Sequence, residues 1–130
     1  MLLHISEQSQ DTLQEQIIGQ IRARILSGDL EPDFGLPSIR VLAKSLQVSV
    51  ITVQRAYEHL LNEEVIYARR GKGFFVTPLE ADAKSALAQQ RFTEHLHSLI
   101  GAARRDGLGD EEIRQLFLAR LQSGDNNGDA

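Results

Sequence analysis

The sequence predicts a mainly α-helical fold with one small β-hairpin: a winged helix-turn-helix followed by a two-helix C-terminal dimerisation module. Three observations lead to this prediction. Apolar residues recur at three- and four-residue steps over five stretches of the 130-residue chain. Two of these stretches are short and are joined by a tight turn. Two runs of branched and aromatic residues flank a basic segment with two glycines, as is typical of a hairpin.

The predicted elements begin with a short strand over residues 2–5 and a first helix. That helix has Asp11 or Thr12 as its N-cap and ends at Gly28, after which a loop over residues 29–36 follows. The second helix opens at residues 37–38. A turn over residues 47–48 leads to Ser49, a good N-cap for a third helix that ends near Asn62.

The hairpin is predicted from strands over residues 65–67 and 74–76, with residues 68–73 as its tip. Tyr57 and Phe74 are expected in the core. The later helices are predicted over residues 82–105 and from residue 110 to 123–124, separated by a break at residues 106–109. The domains are therefore expected at 1–78 (winged helix-turn-helix), 79–124 (helical dimerisation module) and 125–130 (disordered tail).

Composition limits the class of protein. The chain has no cysteine and no tryptophan, so disulfides and thiolate metal sites are excluded and a cytoplasmic location is expected. The N-terminal residues turn polar at once and the apolar runs are short, which predicts neither a signal peptide nor a membrane span. His95 and His97 lie two apart on a predicted helix and cannot chelate together. We expect no enzymatic activity, no cofactor and no metal.

Charge is distributed unevenly along the chain. The net charge is −4, yet residues 37–77 carry six basic and three acidic side chains, and both flanking segments are acidic. A basic segment of this kind would suit contact with the phosphates of a DNA backbone. A local excess of three positive charges also arises by chance, so charge alone does not establish that this segment binds nucleic acid.

The order helix-turn-helix then basic hairpin predicts double-stranded DNA as a partner. The turn presents the third helix to the major groove, where Gln pairs with adenine, Arg with guanine, and Thr bonds a base or touches a thymine methyl. The start of the second helix suits a phosphate, and the glycines let the hairpin backbone approach DNA closely. The expected DNA-binding residues are Ser38, Arg40, Ser49, Thr52, Gln54, Arg55, Arg69, Arg70, Gly71, Lys72 and Gly73.

The last two helices carry apolar stripes that so small a winged domain cannot cover. Pairing of two copies would bury them, so a homodimer and an inverted-repeat operator are expected. The expected dimerisation residues are Leu87, Phe92, Leu96, Leu99, Ile100, Ile113, Leu116 and Phe117.

From residue 13 to residue 76 the sequence resembles the GntR family of bacterial regulators. The segments that carry the resemblance are ILSGDL at 25–30, LPSIRVLA at 36–43, VSVITVQRAY at 48–57 and RRGKGFFV at 69–76. The short C-terminal part is similar to the YtrA-type branch, whose tail is a small two-helix dimerisation unit. The resemblance implies a transcription regulator, with repression the commoner outcome.

The resemblance also implies roles for single residues. Arg40 matches a DNA-contacting arginine, Thr52 and Gln54 match contacts of the recognition helix, and Arg70 with Gly71 matches the wing-tip pair that enters the minor groove. The chain departs from the family's pattern at several positions: Val50 replaces a usual Arg or Lys, which either removes a contact or substitutes a thymine-methyl contact. Further departures are Glu64 for a usual Gly, the order Asp33-Phe34-Gly35, and Thr12 and Gln14 for the usual Pro and Tyr.

Other interpretations remain open at this point. Arg40 could instead be a solvated cation at a helix start or pair within its helix, Thr52 and Gln54 could be ordinary surface residues, and Arg55 could pair with Glu58 or with an acid such as Asp11. The chain as a whole could be a small-molecule or metal sensor with DNA binding as its output, responding to an unidentified small-molecule effector. It could also be a winged helix that binds only protein, although the basic hairpin tip argues against that.

Overall fold

The computed structural model describes residues 1–126, and the helices and strands follow the predicted order. They are α1 (Leu13–Ser27), α2 (Ile39–Leu46), α3 (Val50–Asn62), β1 (Ile66–Arg69), β2 (Gly73–Val76), α4 (Ala81–Arg105) and α5 (Asp110–Asn126). This confirms a mainly α-helical fold with a small hairpin. One compact unit spans Met1–Ser85 and a second begins at Ala86. The domain boundary expected at 78/79 stays a prediction, as does the disordered tail, whose residues 127–130 lie outside the described residues.

Each of the first three helices begins at a capping side chain: Thr12, one of the two caps predicted for α1, Ser49 as predicted for α3, and Ser38, whose capping role was not predicted. Thr12 forms a capping box with Glu15: its Oγ1 accepts from the Glu15 amide at 3.1 Å, and a Glu15 carboxylate oxygen accepts from the Thr12 amide at 2.8 Å. Ser38 and Ser49 cap α2 and α3 in the same way. Gly28 ends α1 at φ 86°, a left-handed conformation in which glycine has no steric penalty.

The core of the first unit lies where α1 and α2 pack against α3. It is built from the apolar faces that the three- and four-residue spacing predicted, and Tyr57 is fully buried among them. The fully buried side chains of largest volume are Tyr57, Ile17, Ile21, Ile25, Leu60, Ile66, Val53, Val65 and Val76.

A partly buried ion pair joins the first and third helices. Arg22 of α1 and Glu63, the C-cap of α3, are connected by a bidentate contact in which Nη2 lies 2.8 Å from Oε2 and Nε lies 3.0 Å from Oε1. The long-range partner, 41 residues away, is visible only in the fold.

The strand predicted over residues 2–5 is wrong. Within the described residues this segment pairs with no strand, and two glutamine side chains of α1 bond its backbone groups instead. The Gln20 amide group accepts from the His4 N–H at 2.9 Å and donates to the His4 carbonyl. Gln16 makes the same pair of bonds with Ser6, at 2.8 and 2.9 Å. Side-chain amides therefore do here what a neighbouring strand would do.

The predicted loop over residues 29–36 in part pairs with the hairpin. β1 and β2 are antiparallel, with Ile66 opposite Val76 and Arg69 opposite Gly73. On the other edge of β2, Gly35 forms a bridge with Phe75. The Leu36 amide donates to the Phe74 carbonyl at 2.9 Å, and the Val76 amide donates to the Phe34 carbonyl at 2.9 Å. The hairpin is thus attached to the segment that leads into α2.

The second unit consists of helical backbone with little buried surface. No residue of α4 is buried, and the same holds for α5 over its residues up to 124. Leu99 keeps 68% of its surface exposed. A groove of about 340 Å³ runs between the two helices and is lined by Leu96, Leu99, Ile100, Ala103, Leu108, Ile113, Leu116, Phe117 and Arg120.

Candidate nucleic-acid interface

A three-residue turn, Gln47 to Ser49, separates α2 from α3. Gln47 takes a left-handed conformation, φ 58°, and its amide donates to carbonyl groups in the last turn of α2. The Val48 amide bonds the Ala43 carbonyl at 3.0 Å. These bonds end α2 tightly and let α3 begin at once behind its Ser49 cap. The result is the predicted helix-turn-helix, in which the second helix presents its N-terminal end.

Tyr57 holds the recognition helix to both of its neighbours. Its hydroxyl donates to the Pro37 carbonyl at 2.7 Å, directly before the N-cap of α2. Its ring meets the half-buried ring of Phe74 edge-on, with centroids 5.0 Å apart. Burial raises the pKa of the Tyr57 phenol well above its usual range. The expectation that Tyr57 is core, not a base-stacking platform, is therefore confirmed.

The basic residues between positions 37 and 77 have no acidic partner in the described part of the chain. Among the described residues, none of the six basic side chains between 37 and 77 forms an ion pair. The ion pair between Arg55 and Glu58, considered as an alternative to DNA contact, is absent from that part of the chain as well. Arg22 and Arg24, in the preceding helix, both have acidic partners. The six unneutralised residues are Arg40, Lys44, Arg55, Arg69, Arg70 and Lys72.

Lys44 was missed by the site prediction. It is exposed in the last turn of α2 and, within the described residues, has no bonding partner. Its only sequence signal was its contribution to the local positive charge.

The tip of the hairpin is a tight three-residue connection, Arg70 to Lys72, shorter than the six residues predicted. The Lys72 amide donates to the Arg69 carbonyl at 2.9 Å. Gly71 and Gly73 have φ of 72° and 106°, and no atom would meet a Cβ at either position. Backbone conformation, not lack of space, thus favours glycine here. Arg70 and Lys72 extend from this tip with exposed side chains.

Arg69 differs from its two basic neighbours. Its guanidinium carbon lies 5.6 Å from the centroid of the Phe75 ring, a cation–π contact. Phe75 in turn stacks on Tyr67, whose hydroxyl donates to Asp33 at 2.6 Å. This hydrogen bond raises the pKa of Tyr67. The Arg69 side chain is therefore held against the Phe75 ring, next to the tip of the hairpin.

The polar residues at the start of α3 are partly occupied by local bonds. The Oγ atom of Ser49 accepts from the Thr52 amide at 3.1 Å and lies 2.8 Å from the Thr52 hydroxyl oxygen. The Gln54 amide donates to Glu58 at 3.3 Å. Ser38 likewise has its hydroxyl oxygen in a cap, 3.1 Å from the Val41 amide. Of the polar candidates in α3, Arg55 alone has no bonding partner among the described residues.

The expected dimerisation residues all lie on α4 and α5, within the second unit. Six of the eight line the groove between these helices: Leu96, Leu99, Ile100, Ile113, Leu116 and Phe117. Leu87 is half-buried and Phe92 is exposed, both nearer the start of α4.

Two further properties concern the described residues only. None of their helices is both long and apolar enough to cross a membrane. Within residues 1–126, no three His, Cys, Asp or Glu side chains are grouped as metal ligands.

A winged helix-turn-helix whose recognition helix and hairpin carry unneutralised cations defines the class of DNA-binding transcription regulators. The family model "Bacterial regulatory proteins, gntR family" matches residues 13–76. The chain is 32% identical to the HTH-type transcriptional repressor YtrA of Bacillus subtilis over 117 residues, covering 88% of each chain. The chain belongs to the GntR family, in its YtrA-type branch, and is a DNA-binding transcription regulator.

Two other relatives fit this assignment. The HTH-type transcriptional repressor NagR of Bacillus subtilis is 36% identical over 97 residues, which cover 74% of this chain but only 39% of that repressor. A GntR family transcriptional regulator from Listeria monocytogenes has a similar structure, with a TM-score of 0.68 and 27% identity. That alignment covers 88% of this chain and 98% of the Listeria chain.

Proposed function

We propose that this chain acts in the cytoplasm as a homodimeric transcriptional repressor that binds an inverted-repeat operator. One observation carries the DNA part of this proposal: the six basic side chains of residues 37–77 have no acidic partner in the described part of the chain. In an ordinary solvated surface some of these cations would pair with acids. A DNA backbone supplies the anions that the chain does not.

Each part of the winged unit has its own role in the proposed complex. The start of α2 faces a phosphate with its free backbone N–H groups and the exposed Arg40. The first turns of α3 enter the major groove, where Arg55 is free to bond guanine. Arg70 and Lys72 at the hairpin tip enter the minor groove or bind phosphates, and the glycines allow the backbone a close approach.

The dimer is proposed because the second unit leaves its apolar stripe uncovered. Fully burying a Leu or Phe side chain contributes about 1.5–3 kcal/mol. Several such side chains on α4 and α5 are more than half exposed in one chain, so a partner surface of the same kind would gain much from covering them. A second copy supplies it through a self-complementary, two-fold interface. The residues proposed to pair are Leu87, Phe92, Leu96, Leu99, Ile100, Ile113, Leu116 and Phe117.

The inverted repeat and the sign of regulation follow from this dimer. A two-fold axis presents two recognition helices to half-sites that the same axis relates. A dimer seated on a promoter blocks polymerase, and two of the relatives are named repressors. The groove between α4 and α5 lies on the face that the second copy would cover, so the proposed dimer would not leave it open to a small-molecule effector.

Binding across a salt series, combined with sedimentation, tests the proposal. The full chain is titrated onto a random duplex and onto a duplex enriched from a random pool, between 50 and 200 mM salt. We expect a dimer, a palindromic enriched sequence and a loss of affinity of about a thousandfold over this range. A chain that sediments as a monomer and binds no duplex at the lowest salt would contradict the proposal.

A further inference from the structure

Two apolar side chains, Val50 and Ile51, stand where the recognition helix would meet the bases. They are the first two residues of α3, directly after the Ser49 cap. Both are exposed, Val50 at 46% and Ile51 at 57%. Residues at the N-terminal end of such a helix are those that reach base edges. These two exposed side chains therefore lie at the part of the helix that decides which base sequence is preferred.

The outward face of α3 begins with Ile51. Residues 51, 54, 55 and 58 follow the i, i+3, i+4, i+7 spacing of one helix face and are all exposed. The opposite face, which includes Val53 and Leu60, is fully buried in the core. The core thus fixes the rotation of α3 and leaves Ile51 pointing away from it. A β-branched side chain is also stiff, so little conformational entropy is lost when it contacts a ligand.

The polar side chains next to Val50 and Ile51 are engaged in hydrogen bonds with one another. Ser49 and Thr52 are engaged with each other, and Gln54 is bonded to Glu58. No charged residue occurs between Lys44 and Arg55, so the start of α3 carries no charged side chain for a phosphate. Van der Waals contact is what the exposed pair itself can offer to a base.

We propose that Val50 and Ile51 are specificity-determining residues that contact the C5 methyl groups of thymines in the operator. The thymine methyl is the apolar group that a base pair presents in the major groove, so an apolar helix start selects for it. Ile51 heads the outward face and Val50 lies beside it at the cap. This inference rests on the proposed DNA-binding function and adds to it the base type that the helix start reads.

Replacing thymine by uracil tests the inference, because uracil lacks only the methyl group. An operator is first enriched from a random pool with the full-length protein. Each thymine is then replaced by deoxyuridine, one at a time on both half-sites. We expect affinity to fall about fourfold for each contacted methyl, at one or two thymines per half-site, and to stay unchanged at thymines outside the enriched motif.

Variants of the protein assign the methyl contact to its residue. In Val50→Ala or Ile51→Ala the uracil penalty should disappear at the thymine that the removed side chain contacts and persist at the others. Both residues are exposed, so neither substitution should change the free energy of unfolding by more than about 0.5 kcal/mol. Val50→Thr, which keeps the branched shape and one methyl, should retain part of the penalty.

The outcomes separate this inference from the proposed function. A protein that enriches no sequence and binds no duplex overturns both. An enriched operator whose affinity is insensitive to every uracil replacement overturns the methyl readout and leaves the regulator intact. The same holds if the uracil penalty is undiminished in both alanine variants.

Discussion

The hydroxyl of Tyr57 donates a hydrogen bond to the backbone carbonyl of Pro37, with 2.7 Å between the oxygens. This bond ties the middle of the recognition helix to the residue before the Ser38 cap of α2. The same ring packs on Phe74 of the hairpin. One buried side chain therefore contacts α2's N-terminal approach and the wing from the middle of α3.

Alkaline pH should weaken the fold through Tyr57. Burial raises its pKa above the ordinary value of 10.0, so the unfolded chain loses this proton first as the pH rises. The free energy of unfolding should therefore keep its full value below about pH 10. Above that pH it should fall by up to about 1.4 kcal/mol per pH unit. Tyr57→Phe should lose about 1 kcal/mol at neutral pH, but its stability should fall less steeply above pH 10.

Urea unfolding at several pH values measures this difference. Tyr67→Phe is the matched control: its hydroxyl bonds Asp33 at 2.6 Å, but it is not fully buried, so the alkaline slope should change less. Parallel pH curves for the wild-type chain and Tyr57→Phe would contradict the role of this phenol.

Replacing Glu64 by glycine should stabilise the protein. Glu64 has φ 62°, a left-handed conformation that costs an L-residue about 1–2 kcal/mol. Its side chain makes no hydrogen bond or ion pair with another described residue. After subtracting the larger entropy of a glycine in the unfolded chain, we expect a gain of about 0.5–1 kcal/mol.

Thermal and urea unfolding provide the measurement for Glu64. Glu64→Ala removes the same carboxylate but keeps a Cβ, so its stability should stay within about 0.5 kcal/mol of the original. If alanine stabilises as much as glycine, the carboxylate and not the backbone is responsible.

Loss of a wing cation should change the salt dependence of DNA binding. Arg70→Ala or Lys72→Ala removes one phosphate contact per copy. The slope of log affinity against log salt should then become less steep by about one for each copy, with affinity lowered similarly on all sequences. Arg105→Ala, an equal change in charge on α4, should leave the slope unaltered. An equal effect of all three substitutions would indicate a response to net charge alone.

A charged residue on the apolar face of α4 should dissociate the proposed dimer into monomers. Leu99→Glu places a carboxylate in the proposed interface, where it would lose its hydration. We expect a monomer by sedimentation and a large loss of operator affinity, with the winged unit still folded. Leu2→Glu is a close control, since Leu2 is 67% exposed and Leu99 is 68% exposed. It should remain a dimer; dimers of both variants would refute this interface.

The local elements were predictable because their signals are local. Thr12, Ser38 and Ser49 supply cap oxygens to amides three residues away, and the apolar spacing marks one face of each helix. Glycines at 71 and 73 similarly marked the hairpin tip. These features place the recognition helix and wing in order, and with them the candidate DNA-binding residues.

The sequence by itself thus determined the order and type of the elements and the concentration of basic charge. Only the tertiary structure decided which distant groups meet: Arg22 with Glu63, Gln20 with His4, and Gly35 with Phe75. It also decided that Ser49 and Thr52 bond each other while Val50 stays exposed. Caps and periodicity act over a few residues, but these pairings depend on how the chain folds back, which no local pattern encodes.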